Sequence, residues 1–197
     1  MIKPAVGMIY LPKNPVSETY KNLVFNSWVN DGFSINYYPG TTPENLDTIE
    51  KPLNFGLKSG GRNKGKPLTD TEKAIWYSHR SMWEMASKKA NPLIVIEHDA
   101  LLLQHLDVSV IKKYPIVGIC HCGLLSKHSE RGYRISAGGA YMITSRIARK
   151  MITNIPEEIT INSDAYLHNW ITRYGVFQHQ YATQLYLPDI GSTINHD

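Results

Sequence analysis

The chain has 197 residues, enough for one domain with its own hydrophobic core. Hydrophobic residues make up 42% and charged residues 19%, a balance that excludes a disordered or fibrous chain. The formal net charge of +4 favours an anionic partner. No apolar run reaches the roughly 20 residues of a membrane-spanning helix, and the N-terminus lacks a secretory pattern. We therefore expect a cytoplasmic protein without membrane insertion.

The first third of the chain predicts two strands and a helix, followed by a loop. Ala5–Leu11 is an apolar run that predicts a buried strand, and the apolar spacing after it predicts a helix with Ser17 as its N-cap. Phe33–Tyr38 alternates and predicts a second strand. Residues 43–67 show no periodicity, and their segment Lys58–Lys66 carries four cations and no acid. Such a long loop within a compact domain is usually functional or disordered.

The clearest predicted helix comes next. Thr69 and Glu72 have the spacing of a capping box, so we expect a helix from this point to about Lys89. It must end before Asn91-Pro92, because the residue before a proline disfavours helix. Leu93–Ile96 is then a short, fully apolar run of the kind that is buried on both faces of a parallel sheet.

The second half continues the alternation of strands and helices. Its predicted strands are Pro115–Cys120 and Val176–Leu187. Its predicted helices are capped by Thr144 or Ser145 and by Ser163 or Asp164, and they end at Ile152 and near Gly175. Strands that alternate with helices predict one α/β domain over residues 1–197 with a mostly parallel central sheet.

Two acidic residues follow the apolar strand Leu93–Ile96. Glu97 and Asp99 flank His98 at the strand's carboxyl end, which is where open α/β sheets bind ligands. Neighbouring carboxylates repel each other, and a divalent cation such as Mg²⁺ or Mn²⁺ is their natural companion. The alternative is a solvated strand end or a helix cap. This stretch is therefore a candidate metal site.

An ordered set of motifs resembles glycosyltransferase family 25, which contains lipooligosaccharide and collagen galactosyltransferases. The matching positions are Glu72, Ser78-His79, Trp83 and the strand ending Glu97-His98-Asp99-Ala100. Further matches are Ser27-Trp28, Gly139-Ala140-Tyr141-Met142-Ile143, Asp164 and Gly191-Ser192-Thr193-Ile194. The main departure is His98, where the family carries a second Asp. The chain is also shorter than typical members.

The resemblance implies a Rossmann-like nucleotide-sugar fold of the GT-A type, with Mn²⁺ or Mg²⁺ bound beside the donor's diphosphate. Glu97 and Asp99 would hold the ion, and His179 or His196 could add a third ligand. A surface position is the alternative for each of these two histidines. His98 would project to the other face of the strand end and contact the nucleotide or fill space.

The resemblance also assigns roles around the donor. Asp164 matches the family's late acid and would act as the base that deprotonates the acceptor hydroxyl, although it could instead cap its helix. Ser78 and His79 would line the nucleotide-sugar pocket or support the metal strand. Gly139 and Ala140 would allow a close backbone approach beside the sugar. For Glu72 we favour the capping role over catalysis.

The expected activity is transfer of a sugar from a nucleotide-sugar donor to an acceptor hydroxyl. The acceptor is either a saccharide, such as a lipooligosaccharide, or a hydroxymethylated DNA base in a phage-type modification. Lys58, Arg62, Lys64 and Lys66 would bind that acceptor, and DNA binding through them would weaken steeply with salt. A solvated basic loop is the alternative.

Two other function classes remain open from the sequence. A metal-dependent nuclease or phosphodiesterase could use Glu97, Asp99 and a histidine. A non-catalytic nucleic-acid-binding domain on a degenerate transferase fold would explain His98. Hydrolysis of a nucleotide-sugar in the presence of Mn²⁺ separates the transferase from both.

Overall fold

A seven-stranded sheet with helices on both faces organises the chain in a computed structural model that describes residues 3–60, 63–121 and 138–184. The strands are β1 (Ala5–Tyr10), β2 (Ile35–Pro39), β3 (Leu93–Glu97), β4 (Ala100–Leu102), β5 (Ile116–His121), β6 (Ala140–Ile143) and β7 (Val176–Gln184). The α-helices are α1 (Pro15–Asn30), α2 (Asp70–Ser87), α3 (Val108–Ile111), α4 (Ser145–Thr153) and α5 (Ser163–Tyr174), and Pro43–Thr48 forms a 3₁₀ helix.

The sheet is mixed, with the strand order β2-β1-β3-β6-β5-β7-β4. β1 pairs in parallel with β2 and β3, and β5 pairs in parallel with β7. The pairs β3–β6, β5–β6 and β4–β7 are antiparallel. The predicted α/β class is confirmed. The expectation of a mostly parallel sheet is met by only half of these pairs, because β6 enters between β3 and β5 in the opposite direction.

β3 is buried on both faces, as its uninterrupted apolar sequence predicts. Ile94 and Ile96 belong to the core layer that includes Trp28 of α1. Val95 faces the other layer, which includes Trp83 of α2 and side chains of α4 and α5. Because alternate residues of a strand point to opposite faces, this pattern also directs the side chains at the end of β3.

Two of the predicted helix N-caps are wrong by a few residues. Asn14 caps α1 by accepting from the Ser17 amide, while the Ser17 hydroxyl accepts a hydrogen bond from the Leu11 amide. Asn162 caps α5 by accepting from the Ala165 amide. Asn, like Ser and Asp, accepts well at this position, and the residue that precedes the first turn takes the role.

Other boundaries agree closely with the sequence. The capping box between Thr69 and Glu72 is present, and α2 ends at Ser87. The predicted loop 43–67 contains the 3₁₀ helix, and β4 and α3 were not predicted because each has only three or four residues. The predicted strand residues 185–187 lie outside the described part of the chain. Within that part, no helix is long and apolar enough to cross a membrane.

Replacing Asn162 by Ala should lower the free energy of unfolding by about 1 kcal/mol, because the cap hydrogen bond to the Ala165 amide is lost. Asn162→Ser retains an acceptor and should recover most of this loss. Urea denaturation at neutral pH measures both variants. An Asn162→Ala protein as stable as the parent would show that this residue does not cap α5.

Candidate active site

The strand order places a topological switch point between β1 and β3. From β1 the chain connects to β2 on one side, and β3 lies on the other side in parallel. Open α/β sheets bind ligands in the crevice beyond the carboxyl ends of such strands. β1 ends at Tyr10 and β3 ends at Glu97, so the acidic stretch predicted from the sequence lies at this crevice.

Glu97 and His98 leave the end of β3 toward opposite sides. Glu97 Oε1 lies 3.2 Å from His79 Nε2 on α2. His98 stacks against Tyr20 of α1, with the ring centroids 6.5 Å apart and an interplanar angle of 16°. His98 is 7% exposed, and burial lowers its pKa. Its Nε2 is buried without a hydrogen-bond partner among the described residues.

Asp99 presents a buried oxygen that the described residues leave unpaired. Its Oδ1 has no hydrogen-bond partner in this part of the structure. Burial raises the pKa of Asp99 well above its usual value, and the charges of Glu97 and Asp164 raise it further. An unpaired buried oxygen is costly, so this atom is suited to accept a cation or a proton.

Asp164 approaches the same carboxylates from α5. It lies in the first turn of that helix, and because Asn162 provides the cap, the Asp164 carboxylate is not used for capping. Burial and the charge of Glu97 raise the pKa of Asp164 to about 6, against the opposing effects of His79 and of a hydrogen bond from the Gly138 amide. Glu97, Asp99 and Asp164 are therefore close enough to repel one another, and we call them the carboxylate cluster.

Gly138 and Gly139, which precede β6, lie against the carboxylate cluster. A Cβ on Gly138 would collide with Asp164 Oδ1 and would lie 3.3 Å from His79 Nε2. The Gly139 carbonyl accepts a hydrogen bond of 2.8 Å from the Glu97 amide, and Ala140 pairs with Ile96 in the sheet. Both predicted backbone positions, Gly139 and Ala140, thus adjoin the end of β3.

A buried hydrogen-bond network supports Glu97. Trp83 Nε1 donates to the Tyr141 hydroxyl over 2.9 Å, and this hydroxyl lies 3.1 Å from His79 Nδ1. Burial raises the pKa of Tyr141 well above its usual value, so the hydroxyl keeps its proton. Every donor is paired when Tyr141 donates to Nδ1 and the Nε2–H of His79 donates to Glu97, and this tautomer is assigned from the network.

Trp83 and Tyr141 lie within the motifs that resemble the family, but neither was given a role in the predicted site. Trp83 lies four residues after His79 on α2, so helical spacing already placed the two side chains on one face. Tyr141 lies within the apolar run of β6, where no sequence signal separates a core tyrosine from one that contacts a histidine. Its contact with His79 depends on the antiparallel pairing of β6 with β3.

Ser78 and Glu72 have structural contacts. The Ser78 hydroxyl donates to the Ala74 carbonyl and accepts from the Thr41 amide, which holds the segment after β2 against α2. Glu72 completes the capping box and forms a 2.7 Å ion pair with Lys58. The favoured capping role of Glu72 is therefore confirmed, and the charge of Lys58 is already paired.

The basic loop runs beside the segment that leads to Asp164. The Gly56 and Ser59 amides donate to the carbonyls of Ile159 and Thr160. Lys64 and Lys66 are exposed, and Arg62 lies outside the described residues. The side chain of His179 and all of His196 lie outside them as well. Within the described residues, no three His, Cys, Asp or Glu side chains are placed to hold one ion.

Comparison with known families identifies the class of protein. Residues 21–115 match the model of glycosyltransferase family 25 (LPS biosynthesis protein). The chain belongs to glycosyltransferase family 25, in agreement with the sequence motifs. The match includes the second part of α1 and all of α2 and β3, with Ser78, His79, Glu97 and Asp99, whereas Asp164 lies beyond it. A comparison with curated protein sequences finds no match.

The raised pKa of Asp164 predicts how stability depends on pH. Below its ordinary pKa of 3.8 the carboxyl is protonated whether the chain is folded or unfolded, and folding then incurs no ionisation penalty. Between about pH 3.8 and pH 6 the unfolded chain ionises this carboxyl while the folded state keeps it protonated. Stability is therefore lost as the pH rises toward the folded pKa, and above about 6 it has fallen by on the order of 3 kcal/mol.

Asp164→Asn removes this ionisation. The variant should lose less stability than the parent between about pH 3 and pH 7, a range that includes both pKa values. Thermal denaturation in a chelating buffer measures the difference. Parallel pH profiles for the two proteins would contradict the proposed burial of the carboxylate.

Tyr141→Phe tests the network that supports Glu97. Loss of the hydroxyl leaves Trp83 Nε1 and His79 Nδ1 buried without this partner, and the free energy of unfolding should fall by about 1–3 kcal/mol. Tyr38→Phe is a matched control, because no hydrogen bond of the Tyr38 hydroxyl occurs among the described residues. Equal urea midpoints for both variants would contradict the network.

Proposed function

We propose that this family 25 member transfers a sugar from a nucleotide-sugar donor to an acceptor hydroxyl at the carboxylate cluster. Family membership supports glycosyl transfer in general. The observation that carries the proposed site is the buried, unpaired Oδ1 of Asp99 beside two further carboxylates at the end of β3. We also propose that β1, β2 and β3 form the Rossmann-like half of a GT-A fold, since they are parallel and meet at the switch point.

The carboxylate cluster fits a divalent cation. Mutual repulsion raises the pKa of Asp99 and of Asp164, and a bound cation would relieve it. Mg²⁺ is commonly held by one or two carboxylates together with substrate phosphates, so a site without three protein ligands suits it. Asp99 and Glu97 would hold Mn²⁺ or Mg²⁺. The ion, when bound, would neutralise charge on the departing diphosphate.

His79 orients Glu97 in this proposal. Its Nε2–H donates to Glu97 Oε1, and Tyr141 fixes the ring through Nδ1. A histidine 1% exposed and stacked against Trp83 is a rigid support. We therefore assign His79 to positioning Glu97, which is the supporting role that the sequence left open beside direct contact with the donor.

Asp164 would accept the proton of the acceptor hydroxyl. A base is most effective when its pKa lies near the working pH, and burial together with the charge of Glu97 raises the pKa of Asp164 to about 6. The Gly138 amide hydrogen bond holds the carboxylate in place. The missing side chain at Gly138 leaves room beside this oxygen.

We favour a saccharide over DNA as the acceptor. Lys58 is paired with Glu72, so two described lysines of the basic loop, Lys64 and Lys66, retain exposed charges there. A DNA acceptor requires several phosphate contacts around the reacting base. The family description, LPS biosynthesis protein, also favours a saccharide. Lys64, Lys66 and Arg62 would then contact acidic groups of the acceptor.

Asp99→Asn should reduce Mn²⁺-dependent hydrolysis or transfer of the nucleotide-sugar by roughly 100-fold or more, since loss of a ligand should cost at least as much as loss of its supporting contacts. Release of the nucleoside diphosphate measures turnover across a panel of donors. Asp47→Asn, at an exposed position in the 3₁₀ helix, is the matched control and should retain activity.

Full turnover by Asp99→Asn would refute the metal assignment. Saccharides and hydroxymethylcytosine DNA, tested side by side as acceptors, separate the two acceptor classes. Cleavage of plasmid DNA by the parent protein with Mn²⁺, without turnover of any donor, would instead support a nuclease. DNA binding without either activity would support the non-catalytic alternative.

A further inference from the structure

The edge of the sheet opposite the carboxylate cluster is strongly basic. Lys88 and Lys89 follow the end of α2 and precede β3, and Lys112 and Lys113 immediately precede β5. β3 and β5 run in the same direction, because each pairs antiparallel with β6. The starts of β3 and β5 therefore lie at the same edge of the sheet, and Glu97 lies at the other.

α4 and α5 add four more cations to this edge. Arg146, Arg149 and Lys150 belong to α4, which begins where β6 ends, and Arg173 lies in the last turn of α5. All four are exposed. With the four lysines they are eight of the 21 Lys and Arg residues of the chain. Segments 87–92, 112–115, 144–150 and 169–175 contain no Asp or Glu.

Hydrogen bonds and a close backbone approach join these segments into one surface, which we call the basic edge. The Arg149 guanidinium donates to the Ser87 carbonyl at the end of α2. The Thr144 amide and hydroxyl both donate to the Pro115 carbonyl, at 3.0 and 2.9 Å. Gly175 lies so close to the Ile116 carbonyl that a Cβ there would collide with it. The cations are thus brought together by the fold.

Aromatic side chains lie among these cations. Trp170 and Tyr174 stack with their centroids 5.1 Å apart beside a cleft of about 420 Å³, which Lys150 and Arg173 also line. Both cations lie over the Tyr174 ring, at 5.6 and 5.2 Å. Tyr114 is 36% exposed between Lys113 and Pro115. Tryptophan and tyrosine mixed with lysine and arginine are typical of surfaces that meet lipid headgroups.

We propose that the basic edge docks the protein on an anionic membrane surface, with the cleft receiving a lipid phosphate. Clustered cations near such a surface contribute additively to binding. Base stacking on a nucleic acid would need free aromatic faces, whereas the Tyr174 ring is already covered by Trp170 and two cations. A nucleic acid bound at the basic edge would also lie at the opposite edge of the sheet from Asp164.

Binding to vesicles tests the docking without donor, acceptor or metal, so its result is independent of the proposed function. The protein should co-sediment with vesicles of equimolar phosphatidylcholine and phosphatidylglycerol, and not with phosphatidylcholine alone. Binding should weaken as salt is raised, since screening reduces interactions between exposed charges. The fluorescence emission of Trp170 should shift on vesicle binding, because the other three tryptophans, Trp28, Trp76 and Trp83, are fully buried.

The double variant Lys113→Glu/Arg146→Glu should weaken vesicle binding by about 25-fold or more, because each cation near an anionic surface contributes about fivefold. Both positions are exposed, and a Glu in the first turn of α4 suits the helix dipole, so the fold should be retained. Lys64→Glu/Lys66→Glu makes the same charge change in the basic loop and should leave vesicle binding unchanged.

Three outcomes would overturn the proposal. One is equal binding to neutral and anionic vesicles, and a second is equal loss of binding in the two double variants. The third is binding of an oligonucleotide that Lys113→Glu/Arg146→Glu abolishes, without binding to vesicles, which would make the partner a nucleic acid. Separately, a shift of tryptophan emission on vesicle binding that persists in Trp170→Phe would contradict the role assigned to the cleft.

Discussion

Repulsion among the three carboxylates of the carboxylate cluster is the constraint on which this edge of the sheet depends. Glu97 ends β3, Asp99 follows it, and Asp164 comes from the first turn of α5. Burial and their shared negative charge raise the pKa of Asp99 and of Asp164, so the fold holds these groups together at an energetic cost. The hydrogen bonds from His79 and from the Gly138 amide offset part of that cost. The remaining cost supports the proposal that the carboxylate cluster binds a cation.

The sequence predicts the features that depend on residues close together in the chain, and it does not predict those that depend on how distant strands pair. The capping box of α2 and the apolar strand β3 depend on neighbouring residues, and both were predicted correctly. The acidic pair at the end of β3 was chosen as a candidate site because open α/β sheets bind ligands beyond the carboxyl ends of their strands. The direction of β6 could not be predicted, because the sequence of a four-residue strand does not indicate which strand it pairs with or in which orientation. Consequently neither the mixed sheet nor the role of Tyr141 could be derived from periodicity.

Asp164 shows how a local detail changes a functional hypothesis. In the sequence, Ser163 and Asp164 compete for the cap of α5 because both are good acceptors. The structure gives the cap to Asn162, and the Asp164 carboxylate then faces Gly138 and the charge of Glu97. The formal net charge of +4 likewise does not show how the charges are distributed over the fold. The three acids of the carboxylate cluster meet at one edge of the sheet and eight cations lie at the other, so the small net charge conceals an uneven distribution of charge.

The glycine before β6 has a consequence for finding other proteins built in this way. Any side chain at position 138 would occupy the space that Asp164 Oδ1 fills and would crowd His79. Substitution there would displace the carboxylate without altering a single charged residue. A glycine two residues ahead of this strand is therefore a requirement of the arrangement in addition to the acids. A chain that carries counterparts of Glu97, Asp99 and Asp164 but a larger residue at this position must place its third carboxylate differently.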